Sequence, residues 1–199
     1  ILITTLVIAM CLVVRTHYQD TKEKIRTVDK VFAGQQFGSR TQPVAPDPND
    51  QTAVFIVGNS RGGGLHALLW VQRMFPGHFK NFIFLNARTV DSHAYGGGGA
   101  LEQMRTEANS TLKFFVDFCQ SHGMASASTL GFGIDVVDEV TRLCEATNAE
   151  YPNSIFFTSK LIFESDNWFT RLLHNQAALA IQRRLHFEGL QMVILPMKV

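Results

Sequence analysis

The chain has 199 residues, of which 46% are hydrophobic and 18% charged, a composition that excludes intrinsic disorder. A formal net charge of +1 leaves no electrostatic footprint for nucleic acid, and 15 glycines with 6 prolines exclude collagen-like or proline-rich low complexity. The cysteines Cys11, Cys119 and Cys144 are odd in number, far apart and outside any C-x-x-C pair, which argues against a disulfide scaffold or a cysteine zinc site and fits a reducing compartment.

Residues 1–14 form an uncharged, mostly apolar run that ends at Arg15. A spanning helix needs about 20 apolar residues, so the run is too short alone. A core helix and a signal-peptide core are alternatives, but a signal peptide carries its basic residues before the apolar run, and here they follow it. The reading adopted is the end of a transmembrane helix. Arg15, Lys22, Lys24, Arg26 and Lys30 then mark the cytoplasmic side of the cell membrane. His17 and Tyr18 fall at headgroup level, and Tyr18, Ile25, Val28 and Phe32 share one helical face, which predicts an amphipathic cytoplasmic helix over residues 15–32. Residues 33–51, with three prolines and two glycines, read as a linker or an ordered surface loop.

From residue 52 to 199 strand-like and helix-like stretches alternate. Short apolar runs predict buried strands at Ala53–Val57, Asn81–Asn86, Ala125–Leu130, Ser154–Thr158 and Leu190–Leu195. Helical spacing predicts helices at Leu65–Phe75, stopped by Pro76-Gly77, at Gly98–His122, with Gly123 as its C-terminal cap, at Ile134–Asn148 and at Trp168–Phe187. Leu65, Leu68, Leu69 and Met74 carry the spacing of the first of these helices. Parallel strands need such crossovers, so the expected fold is an α/β domain with a Rossmann-like, doubly wound, five-stranded, mainly parallel sheet.

Gly58-Asn59-Ser60-Arg61-Gly62-Gly63-Gly64 lies between the first strand and the first helix of this domain. Three readings compete there. Gly58-x-Ser60-x-Gly62 matches a nucleophile elbow, with Ser60 attacking and Asp91 or Asp135 followed by His174 or His186 as partners. Few strands precede it, however, to supply an oxyanion donor. Gly62-x-Gly64-x-x-Ala67 matches a nicotinamide dinucleotide fingerprint, but Asn86, followed by Arg88, stands where the ribose-binding acid belongs. The third reading is a tight turn whose glycines serve positive φ and close packing, which can still receive an anionic ligand at the helix start. Gly58, Asn59, Ser60, Arg61 and Gly62, with Asp91 nearby, are therefore the candidate ligand-binding residues. The loop of Asp91-Ser92-His93 and Gly96-Gly97-Gly98-Gly99 reads as mobile. No histidine pair has metal-ligand spacing, so no metal is expected. His174 and Asn175 are expected to hold a neighbouring loop, and Gln182, Arg183, Arg184 and His186 to form a basic helix end.

The combination of Arg15-x-His17-Tyr18 behind an apolar helix end, Leu65-His66-Ala67-Leu68-Leu69-x-Val71-x-Arg73-x-Phe75-Pro76, Leu172-Leu173-His174-Asn175-Gln176-Ala177-Ala178 and the stretch from Leu185 to Pro196 resembles the amino acid–polyamine–organocation permease superfamily. The similar branch bears a C-terminal, universal-stress-protein-like cytoplasmic domain. The resemblance implies a regulatory or scaffolding role for this chain beside an upstream transmembrane permease domain, within a homodimer. It also implies a nucleotide or cyclic dinucleotide as effector. The ATP motif of such domains, G-x-x-G-x(9)-G-S/T, is not matched, because Gly131-x-Gly133 is followed by Ile134-Asp135. A serine hydrolase using Ser60 and a nicotinamide enzyme using Gly62 and Gly64 are the alternatives from other classes.

Overall fold

The computed structural model describes residues 3–12, 15–16, 19, 43–90, 98–162 and 176–198. A first helix, α1, covers residues 3–12. The α/β domain then runs β1 (Thr52–Ile56), α2 (Arg61–Met74), β2 (Asn81–Thr89), α3 (Gly98–Ser121), β3 (Ala125–Gly133), α4 (Val136–Glu150), β4 (Ser154–Ile162), α5 (Gln176–Phe187) and β5 (Met192–Lys198). All five strands are parallel, in the order β3-β2-β1-β4-β5. The domain is thus α/β and doubly wound.

The central strand explains the sequence pattern. Ala53, Val54 and Phe55 are all 0% exposed, because β1 is flanked by strands on both edges and by helices on both faces. Odd and even residues feed two separate cores. Ala53, Phe55 and Val57 pack with Leu65, Leu68 and Val71 of α2 and with Leu112, Phe115 and Cys119 of α3. Val54, Ile83 and Leu85 pack with Val140, Leu143 and Cys144 of α4 and with Ile181 and Leu185 of α5. The chain moves outward from β1 through β2 to β3, then returns past β1 to β4 and β5. With crossovers of one hand, that reversal puts α2 and α3 on one face and α4 and α5 on the other.

In-register strands stack aromatic rings across the first face. Phe55 pairs with Phe84 of β2 at 5.4 Å between centroids and with Phe157 of β4 at 5.6 Å. Phe84 stacks in turn on Phe115 of α3 at 5.0 Å. Each such ring contributes about 1.5–3 kcal/mol by burial and somewhat more by offset stacking. Pro196 is tolerated in β5 because β5 is an edge strand.

Several expected boundaries move. β2, β3 and β4 run three or more residues beyond their apolar runs, since ladder pairing continues through residues such as Arg88 and Gly133. α4 begins at Val136 because Asp135 caps it, accepting from the Val137 and Asp138 N–H groups at 2.8 and 3.0 Å; Ile134, expected inside the helix, is 94% exposed. Leu69 and Met74, which carried the predicted spacing of α2, are exposed, so only Leu65 and Leu68 of that set face the core. Gly123 does end α3, with φ +77°. Residues 168–175 of the last predicted helix lie outside the described residues.

The end of the expected linker belongs to the domain. Gln120 is buried at the C-terminal end of α3, accepts from Val44 N–H at 2.7 Å and donates to Val44 O at 2.9 Å. Asn81 repeats the device at the start of β2, accepting from Asp47 N–H and donating to Asp47 O. Two buried amides thereby strap residues 44–47 to the end of the sheet where the strands begin.

Candidate functional site

β1 leads to a neighbour on one side and β4 to a neighbour on the other, so the connections leaving them diverge. Ligands of open α/β sheets bind at such a point, beyond the carboxyl ends of the strands. The β1–α2 turn occupies one wall of it. Gly58 and Asn59 are exposed, Ser60 and Arg61 half-buried, and Gly62 and Gly63 buried at the start of α2. Asn86 of β2 holds this turn from below: its Nδ2 donates to Val57 O at 2.9 Å and to Gly58 O at 3.2 Å.

Ser60 is the N-cap of α2. Its backbone is extended (φ −77°, ψ 114°), and its Oγ accepts from Gly63 N–H at 3.1 Å. The first turn of α2 holds no acidic residue. Two of the four partners expected for a nucleophilic Ser60 are placed elsewhere: Asp135 is committed to capping α4, and His186 is exposed on α5, across the sheet. Asp91, His93 and His174 lie outside the described residues.

The glycines of this turn do not serve positive φ. Among the described residues that conformation belongs to Gly77, Gly123 and Gly189. Close packing explains two of the turn's glycines instead. A Cβ on Gly64 would lie 2.4 Å from Phe115 Cζ and 3.0 Å from Val57 Cγ1. A Cβ on Gly63 would lie 3.3 Å from Ser159 Oγ. Gly58, by contrast, has nothing within 4 Å and opens onto the crevice. The apparent dinucleotide fingerprint at Gly62 and Gly64 therefore has a packing cause at Gly64.

Between this turn and α3 lies a cleft of about 390 Å³ lined by Asn59, Arg61, Thr106, Glu107, Ser110 and Thr111. The Arg61 guanidinium crosses it, donating to Ser110 Oγ at 2.9 Å and lying 5.0 Å from the centroid of the Phe114 ring. Below, β2 turns Phe82, Phe84, Asn86 and Arg88 to the same side, because alternate strand residues share a face. Asn86 is 0% exposed, and its Oδ1 has no hydrogen-bond partner among the described residues; the same holds for the buried Nε and Nη2 of Arg88. Burial pulls the Arg88 pKa below the ordinary guanidinium value, while Glu107 opposes that shift electrostatically. Arg105 of α3 lies over the Phe132 ring at 5.3 Å, and Phe132 pairs with Arg88 in the sheet. Arg61 and Glu107 thus line the cleft, and Arg88 and Arg105 stand farther along the same side, where β2 pairs with β3.

Gly58, Asn59, Ser60, Arg61 and Gly62 form the β1–α2 turn and the start of α2, and of these Asn59 and Arg61 line the cleft. Asn86 joins the turn through its hydrogen bonds, and Arg88 follows two residues on along the same face of β2. Their signal was present as two polar residues at the carboxyl end of an otherwise apolar strand. Among the described residues no group of three or more His, Cys, Asp or Glu is placed to hold a metal ion. At the basic end of α5, Gln182 donates to Met192 O at 2.9 Å, Arg184 pairs with Asp138, and Arg183 lies over Phe187. Compared with known proteins, the chain matches no family model, and no curated protein is significantly similar to it in sequence.

Proposed function

We propose that this chain is the cytoplasmic regulatory domain of a membrane secondary transporter, tethered by α1 and sensing an anionic, nucleotide-type effector at the crevice beside Gly58–Gly62. The observation that carries the tether is the exposure of α1. Ile3, Leu6, Val7, Ile8, Met10 and Leu12 are 48–79% exposed, although they cover the helix on most sides. A helix that is apolar nearly all round is a helix that another apolar phase covers. Among the described residues no helix is long and apolar enough to cross a membrane, and α1 is read as the end of one that does. The basic residues from Arg15 to Lys30 follow it, an order that supports the cytoplasmic side for them.

The effector part of the reading is supported by the crevice at the strand ends, the acid-free start of α2 and the arginines Arg61, Arg88 and Arg105. Regulation would proceed by population shift. An effector that binds one arrangement of two paired domains better than another biases the linked membrane helices by that difference in affinity and no more.

Vesicle flotation tests the tether. The full chain is expected to float with phospholipid vesicles, and a Leu6→Asp/Ile8→Asp variant to remain in the aqueous fraction. A full chain that stays soluble and monodisperse without vesicles or detergent overturns the tether.

A further inference from the structure

The side-chain atoms left unpaired toward the carboxyl end of β2 have a specific chemistry. Asn86 spends both hydrogens of Nδ2 on Val57 O and Gly58 O, which fixes its orientation and leaves Oδ1 as an acceptor with nothing to accept from. Two residues along β2 and on the same face, Arg88 leaves Nε and Nη2 unmade. Those two nitrogens are not an arbitrary pair. Their N–H bonds are parallel and form one edge of the guanidinium, the edge that takes two oxygens of a single anion.

The same protein shows that edge occupied elsewhere. Arg142 donates through Nε to Glu139 Oε2 at 3.0 Å and through Nη2 to Glu139 Oε1 at 2.6 Å, a side-on bidentate grip. Arg88 leaves the same fork unmade, on the face of β2 that also carries Asn86. The carboxylate nearest in effect, that of Glu107, acts on Arg88 through space, while its Oε1 accepts from Gln103 Nε2 at 3.2 Å. Arg88 as a whole is half-buried, but two guanidinium nitrogens buried without partners are costly to the fold, and such a cost persists where a ligand completes the set.

We infer that Arg88 and Asn86 form a subsite for a small anion with two coplanar oxygens and a neighbouring N–H or O–H donor, the oxygens on the Arg88 fork and the donor on Asn86 Oδ1. The subsite lies beside the Arg61–Glu107 cleft. A carboxylate next to an amine or hydroxyl fits this pattern, as does a phosphomonoester next to a sugar hydroxyl; a cation does not, because Arg88 repels it. The inference rests on reading this end of the sheet as an effector site, and it is independent of the membrane tether.

The experiment is calorimetric titration and thermal melting of the full chain in detergent, with L-serine and L-lactate as carboxylate probes and ribose 5-phosphate and inorganic phosphate as phosphate probes. At least one probe is expected to bind at millimolar concentration and raise the melting midpoint. Binding of serine or lactate alone assigns the carboxylate class, and binding of ribose 5-phosphate alone the phosphate class. Arg88→Lys keeps the charge but removes the fork, and is expected to weaken binding at least tenfold. Without any probe, Arg88→Met is expected to melt at or above the unsubstituted chain, because it removes two buried nitrogens without partners. The inference fails if no probe binds the unsubstituted chain, if Arg88→Lys binds as well as Arg88, or if Arg88→Met melts several degrees lower, which would make Arg88 a structural residue. Vesicle flotation does not involve Arg88, so these failures are separable from failure of the tether.

Discussion

Gly64 and Phe115 are in contact so close that a side chain at one excludes the other: a Cβ on Gly64 would meet Phe115 Cζ at 2.4 Å. Phe115 cannot easily retreat, being 0% exposed and stacked on Phe84. Gly64→Ala is therefore expected to destabilise the domain by about 1–3 kcal/mol through overpacking. Phe115→Leu in the same chain should recover part of that loss, an interaction that a double-mutant cycle in urea reads directly. Gly58→Ala, with open space around it, is expected to change stability by no more than about 0.5 kcal/mol.

Ser60 acts as a cap in this structure, so its loss should read as lost stability. Ser60→Ala is expected to cost about 1 kcal/mol in urea unfolding, because Gly63 N–H loses its acceptor. A fluorophosphonate probe is expected to leave Ser60 unlabelled. Labelling that disappears in Ser60→Ala would restore the nucleophile-elbow reading.

The buried amide of Gln120 ties Val44 to the end of α3 through two hydrogen bonds, and it also donates to Ser126 Oγ at 3.2 Å. Gln120→Leu keeps most of the volume and removes the strap. Hydrogen exchange at the Val44 amide should then accelerate markedly, with a stability loss of about 1–3 kcal/mol from the backbone groups left without partners. Unchanged protection at Val44 would mean that the strap is held by Asn81 alone.

The two core thiols give a pH dependence of known sign. Burial pushes Cys119 upward and Cys144 up to about 12, with Glu145 adding to the second, from an ordinary value of 9.0. The folded chain therefore holds these protons to higher pH than the unfolded chain does. Their contribution is intact below about pH 9 and is lost as pH rises from there toward the folded value, at up to about 1.4 kcal/mol per pH unit for each thiol. Urea midpoints at pH 8 and pH 10 should show the fall, and Cys144→Ala should make it shallower. At pH 8 a maleimide is expected to modify the exposed Cys11 and spare both core cysteines.

What the sequence determined by itself was the alternation of elements. Runs such as Ala53–Val57 and Asn81–Asn86 are apolar on both sides, and only a strand covered on both faces hides them; that local fact, with the crossover rule, was enough for a doubly wound sheet. Turn chemistry was legible for the same reason at Gly123, whose φ is positive. Strand ends were not legible, because β2 and β3 continue by pairing with neighbours rather than by hydrophobicity. The candidate turn was found from its glycines, but the cause assigned to them was partly wrong: Gly64 is set by a ring that arrives 51 positions later in the chain (115 − 64). Asn86 and Arg88 became candidates only in three dimensions. Hydrophobic periodicity is a property of neighbours in sequence, whereas an unmade hydrogen bond is a property of everything that surrounds an atom, and only the packed sheet, turn and α3 could show that these were left open.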